Sequence, residues 1–199
     1  MILGKANRAA CAGGNGFTMM KLNPTNLDEP EVLFSKDVNE EDFDGPVEIG
    51  HSATFSFDGE TQIFGHEPGG GVEARCTEND PVSDRSAMFF DASTGDLLGT
   101  WAIPRPQTGQ ENCSFHNLNV VPLRNGQDVF VHGSYQAGTG VVDFTNPPRP
   151  KELAFSDPPP IPVPDNPIFC TDIGGCELGG AWSSYWYNNI IYETNIAKG

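Results

Sequence analysis

The chain has 199 residues, a formal net charge of −16 and eleven basic side chains with no run among them. Nucleic acid and anionic membrane surfaces both select a basic footprint, so this composition argues against either as a partner, and no apolar run is long enough to span a bilayer, so membrane insertion is not expected. Twenty-three glycines, 17 prolines and 10% aromatics, without a long helical stretch, predict an all-β protein rich in turns.

In chain order, FTMMKL (17–22) and VLFSKDV (32–38) read as strands, and NEEDFDGPVE (39–48) as an acidic loop whose carboxylate spacing does not fit an EF-hand calcium loop. HSATFSFDGETQIFGHE (51–67) reads as a hairpin turning at Asp58-Gly59. SAMFFDASTGDLLGTWAIP follows as two strands around Ser93-Thr94-Gly95-Asp96. HNLNVVPLRNGQDVFVHGSY (116–135) repeats the first pattern and turns at Asn125-Gly126. GTGVVDFTNPPRPKELAFSDP gives two strands around a proline-rich turn. DPPPIPVPDNP (157–167) reads as an exposed connector, because proline cannot join a central strand. WSSYWYNNIIYETNI (182–196) is a shorter copy turning at Asn188-Asn189.

Antiparallel hairpins recurring at this interval predict blades of four strands. The reading is one propeller-type domain: a half blade at 11–38, blades at 51–103 and 116–157, and a half blade at 180–199. Two whole blades and two halves are too few to close a ring comfortably, so an incomplete propeller is expected. Self-association, or another chain, would then complete it through the open strand edges.

The five cysteines (11, 76, 113, 170 and 176) sit in polar, Gly-rich stretches with no CxxC pair, which favours disulfides over metal ligation. Cys76 with Cys113 and Cys170 with Cys176 are the expected pairs, leaving Cys11 over. An oxidising compartment, extracellular or periplasmic, follows as an expectation. The start of the chain shows no apolar leader segment, so a leader is taken as removed or lying outside this sequence.

The strings GHSATFSFDG, FGHEPGGG, PRPQTGQENCSFHNLNVVP, GTGVVDFTNPPRPKELAF and GGAWSSYWYNNIIYETNIAKG resemble secreted bacterial proteins of the LVIVD-repeat type, over roughly 11–199. VVDFTNPPRPKELAF matches the hallmark of an apolar strand, an Asp, a proline turn and a second strand. The resemblance implies a β-propeller of mostly unassigned function. A more distant similarity, resting on fold and histidines alone, is to selenium-binding-protein-like propellers, which include copper-dependent thiol oxidases.

All four histidines fall in the two long hairpins, 15 residues apart from His51 to His66 and 16 from His116 to His132. Aligning IFGHE, VFVHG and IIYET puts His66, His132 and Glu193 at one position, with Glu67 beside it. In a propeller these would converge on the channel as a metal site with imidazole and carboxylate ligands. A divalent transition metal, or calcium, is the candidate ion. The alternative is packing: a histidine at a strand start hydrogen-bonded to its neighbouring blade. His51 and His116 suit that role, and are also candidate ligand contacts. Strand alternation sends Trp182 and Trp186 to one face and Tyr185 and Tyr187 to the other. Trp182 and Tyr185 are read as blade packing or as a platform for a sugar or other flat ligand. No G-x-S-x-G nucleophile motif occurs. The leading expectation is a secreted binding or scaffold module. The alternatives are a metal-dependent, copper-type oxidoreductase and an assembly subunit joined through open blade edges.

Overall fold

In a computed structural model of the chain, residues 2–3, 7–41, 44–162 and 179–196 are described. The fold is all-β, and the described residues form fourteen strands in four antiparallel sheets. The first sheet has the order β1 (Ile2–Leu3), β2 (Arg8–Gly13), β3 (Gly16–Lys21), β4 (Glu31–Asp37). The second comprises β5 (Gly50–Phe55), β6 (Thr61–His66), β7 (Ser86–Asp91) and β8 (Leu97–Ala102). The third is β9 (Asn117–Val121), β10 (Val129–Gly133), β11 (Thr139–Asp143) and β12 (Lys151–Ser156). Among the described residues, the fourth comprises β13 (Ala181–Tyr187) and β14 (Ile190–Asn195). Every neighbour in each sheet is also the neighbour in sequence, so each sheet is a meander.

The predicted turns form where the chemistry demands them. Type I′ hairpins need positive φ at both central residues, and Asn188 and Asn189 adopt 49° and 62°. Asp91 closes its turn by accepting the amides of Ser93 and Thr94 at 2.7 and 3.0 Å.

Alternation then decides which sheet packs on which. On β7, Ala87 and Phe89 enter one core cluster while Met88 and Phe90 enter another. The first cluster joins the second sheet to the third through Phe89, Trp101, Phe115, Phe130 and Phe144. Phe89 and Phe144 stack at 5.6 Å with an interplanar angle of 3°. The other cluster joins the second sheet to the first through Phe17, Phe64, Met88 and Phe90. On β10, Phe130 faces the second sheet, whereas Val129 and Val131 meet Trp186 of the fourth. Sheets one to four therefore pack face to face in chain order. Their successive strands β2, β5, β9 and β13 touch one another along the row.

One expectation changes. The N-terminal unit is a four-stranded sheet and not a half blade beginning at 11. Its strand β2 is RAACAG, whose small residues carry a weak strand signal, yet it pairs with β3 along its whole length. A β-bulge lies between Ala181 and Ser183, and Trp182 and Trp186 both turn toward the third sheet, Trp182 meeting His116 and Tyr135 and Trp186 meeting Val121, Val129 and Val131. Tyr185 and Tyr187 do share an exposed face. Cys170, Cys176 and most of the proline connector lie outside the described residues.

Cys76 and Cys113 are joined by a disulfide with a Cα–Cα distance of 6.0 Å, and Cys11 is free and exposed. The bridge ties the segment before the third sheet to the loop after β6, around the β7–β8 hairpin. It closes a sequence separation of 37 residues, for which chain entropy gives about 3–4 kcal/mol. A Cys76→Ala/Cys113→Ala variant is expected to lose stability of that order in denaturant unfolding. A loss below about 1 kcal/mol would show that the bridge adds little to the packed sheets.

Candidate functional site

The site is built where the first strands of successive sheets begin. Ala53 pairs with Phe64, Leu118 with His132, and Ser184 with Glu193. His51, His116 and Trp182 each stand two residues before these partners on the first strand, so they hold one equivalent position in three sheets. The expectation that His51 and His116 correspond is met, and Trp182 continues the row.

The same registers re-order the second strands. His132 and Glu193 correspond to each other and to Phe64, while His66 lies two residues further along. Counting from one histidine to the next mixes loop length with ladder position. The hairpin loops occupy 56–60, 122–128 and 188–189, and so differ in length.

His66, His132 and Glu193 accordingly have separate surroundings. His66 is buried and donates from Nε2 to the Ser83 carbonyl at 2.7 Å. Burial lowers its pKa. His132 is buried among Trp101, Phe115 and Phe130, and its Nδ1 meets Ser134 Oγ at 2.9 Å. Burial pushes its pKa down to about 3. Glu193 accepts the hydroxyl of Thr139 at 2.7 Å and the amide of Asn195 at 3.1 Å. Among the described residues, no group of three or more His, Cys, Asp or Glu side chains is arranged to hold a metal ion.

The residues that do converge are His51, Glu67, His116, Tyr135 and Trp182. His51 Nδ1 donates to the His116 carbonyl at 3.0 Å, which links the second sheet to the third. With that proton fixed on Nδ1, the other ring nitrogen is free to meet the site. It faces Glu67 Oε2 at 3.7 Å, outside direct hydrogen-bond reach. Glu67 Oε1 accepts the hydroxyl of Tyr135. Burial, and then this carboxylate, raise the Tyr135 pKa, so the phenol keeps its proton as a donor.

His116 lies stacked on Tyr135 at 4.3 Å and is met edge-on by Trp182 at 5.1 Å and His51 at 5.3 Å. It is fully buried, and its Nε2 has no hydrogen-bond partner. Burial, reinforced by His51, lowers its pKa to about 3, so the ring is neutral. Trp182 is 43% exposed, and His51 is part-buried. Tyr185 stands apart, opposite Tyr192 on the outward face of the fourth sheet.

Sequence reasoning missed Tyr135. It ends the second histidine hairpin with φ at +48°, a conformation that no residue in the sequence announces. Its backbone also exchanges two 2.8 Å hydrogen bonds with Ala181, which fixes the fourth sheet against the third. The glycine run 69–71 serves the same site. A Cβ on Gly71 would collide with the Tyr135 hydroxyl and with Glu67, and φ there is +71°. Asn112 holds this turn by donating to the Gly71 carbonyl at 2.8 Å.

A second polar cluster adjoins this one through His66. Arg75 binds Glu48 at 2.7 Å and approaches the buried Asp84 at 3.3 Å. Burial outweighs Arg75 and raises the Asp84 pKa to about 6.

No family model matches the chain, and no curated protein matches it.

Two predictions follow from the titrating groups. Tyr135→Phe leaves Glu67 Oε1 buried without its donor, which costs about 1–3 kcal/mol. An unchanged unfolding midpoint would show that this hydrogen bond contributes nothing. His116 and His132 protonate near pH 3 when folded and near 6.5 when unfolded, so stability falls as pH drops through that interval. Asp84 acts in the opposite sense between about 6 and 3.8, where only the folded carboxyl is protonated. Burial raises the Asp128 pKa in the same sense as Asp84 and lowers that of His66 as it does for the other two rings, so three rings stand against two carboxyls and acid destabilises. His132→Leu should reduce the pH slope of unfolding by about one proton between pH 6 and 4. An unaltered slope would mean that His132 is not held neutral.

Proposed function

We propose that this chain is a secreted, propeller-type binding module whose ligand site is the His51/Glu67/Trp182 cluster. The observation that carries this reading is the 3.7 Å gap between His51 Nε2 and Glu67 Oε2. Next to it, Trp182 packs edge-on to the buried His116 and keeps an exposed flank. A carboxylate oxygen and an imidazole nitrogen at that spacing suit two neighbouring ligand hydroxyls, one donating to Glu67 Oε2 and the other to His51 Nε2. An exposed indole suits the apolar face of a sugar ring. Together they favour a carbohydrate or similar flat polyhydroxyl ligand. The disulfide is compatible with an oxidising compartment. Face-to-face four-stranded meanders in chain order are what propeller blades would give, and this supports the LVIVD-repeat resemblance. The copper-type oxidoreductase reading has less support, because its three proposed ligands hold separate partners.

The test is a glycan array followed by titration calorimetry on the best hit. Trp182→Ala and His51→Ala should each weaken binding at least tenfold, while Tyr185→Ala leaves it within about twofold, in line with the dominance of a few anchoring side chains. Binding unaffected by Trp182→Ala, or no hit across the array, counts against the proposal.

A further inference from the structure

The two polar atoms that border the gap between His51 and Glu67 are both acceptors. The Nδ1 proton of His51 is taken by the His116 carbonyl at 3.0 Å, so Nε2 presents a lone pair. Glu67 Oε1 accepts the Tyr135 hydroxyl, which leaves Oε2 facing that lone pair at 3.7 Å. The Glu67 side chain is only 10% exposed. A carboxylate so far withdrawn from water is stabilised by a cation or by several donors. Among the described residues, Glu67 has the single donor Tyr135, and no Lys or Arg pairs with it. Arg75 of the adjoining cluster is matched by Glu48, Glu73 and Asp84. His116 adds no charge, since burial keeps its ring neutral. Trp182 and His51 flank that ring edge-on at 5.1 and 5.3 Å, and Trp182 keeps a flank open to solvent. A carboxylate, an imidazole lone pair and an indole are all electron-rich.

We infer that the ligand is an amino sugar whose protonated amine sits between Glu67 Oε2 and His51 Nε2, with the sugar ring against Trp182. A hydroxyl has one proton and can serve only one of two acceptors, whereas an ammonium has three N–H groups and serves both from a single nitrogen. It also supplies the countercharge that Glu67 lacks. The indole offers its face both to the apolar side of a sugar and to a cation. The net charge of −16 draws cationic oligomers toward the molecule. N-acetylation would remove the charge and two of the three N–H donors, and an acidic sugar would be repelled by Glu67. The inference rests on the carbohydrate reading and narrows it to sugars with a free amine, such as linked glucosamine units.

The test is titration calorimetry on the full 199-residue chain with three oligomers of equal length and linkage, built from glucosamine, N-acetylglucosamine and glucose. At about pH 7, below the usual range of an amine, the glucosamine oligomer should bind at least about tenfold tighter than either neutral one. Added salt should weaken its binding and leave that of the neutral oligomers nearly unchanged. Glu67→Gln, which keeps a carbonyl for the Tyr135 hydroxyl, should abolish the preference, and Trp182→Ala should weaken all three. Glu193→Gln, which removes a carboxylate outside the cluster, should keep the preference within about twofold of the parent, since distant charges are screened. Equal affinities for the three oligomers, all lost in Trp182→Ala, overturn the amine and leave the carbohydrate reading standing. So does binding of other glycans with none of these three. No glycan bound at all removes both. A lysine-rich peptide that binds as tightly and displaces the glucosamine oligomer overturns the sugar as carrier of the amine.

Discussion

Two-sided burial of the central strands is the constraint on which the rest of this structure depends. β7 and β10 have buried residues on both faces, so each must serve two interfaces at once. Period-two alternation divides their side chains between the neighbouring sheets, and this fixes the order of the row. Aromatic rings then set the spacing, as with Phe89 stacked on Phe144 and Trp101 set edge-on to Phe115 and Phe130. Once the sheets are held at that distance, the starts of their first strands come close together, and the polar cluster of His51, Glu67, His116 and Tyr135 is a result of that approach.

Polar side chains lock the stagger between sheets. His51 reaches the His116 carbonyl, while Asn117 and Asn119 reach the carbonyls of Trp182 and Ser184 at 2.9 and 2.8 Å. These bonds satisfy backbone groups that no ladder serves, and they repeat from sheet to sheet. They explain why the histidine position combines packing with chemistry. The Nδ1 side of His51 is structural, and only its Nε2 side is open to a ligand. His116, stacked and neutral, supports the rings around it.

Much of this was legible in the sequence wherever the determinant was local. The turns at Asp58-Gly59, Asn125-Gly126 and Asn188-Asn189 announce themselves, because few residues tolerate positive φ. The pairing of Cys76 with Cys113 and the kinship of His51 with His116 were also readable. The alignment of His66 with His132 failed, since register is set by cross-strand pairing and the intervening loops differ in length. Tyr135 was invisible because its partners, Glu67 and Ala181, are far away in sequence. Strand β2 was missed because alanine and glycine pair as well as any residue when their neighbours supply the burial.

The contact between Gly99 and the Pro147–Pro148 turn has a consequence for biosynthesis. The face of β8 at Gly99 is covered by a segment made much later, as part of the third sheet. While the polypeptide emerges from the ribosome, Leu97 to Ala102 would remain a bare ribbon until those prolines had been translated and swung into place. That interval is when a holdase would have most to grip, and a pause in translation ahead of Pro147 would prolong it.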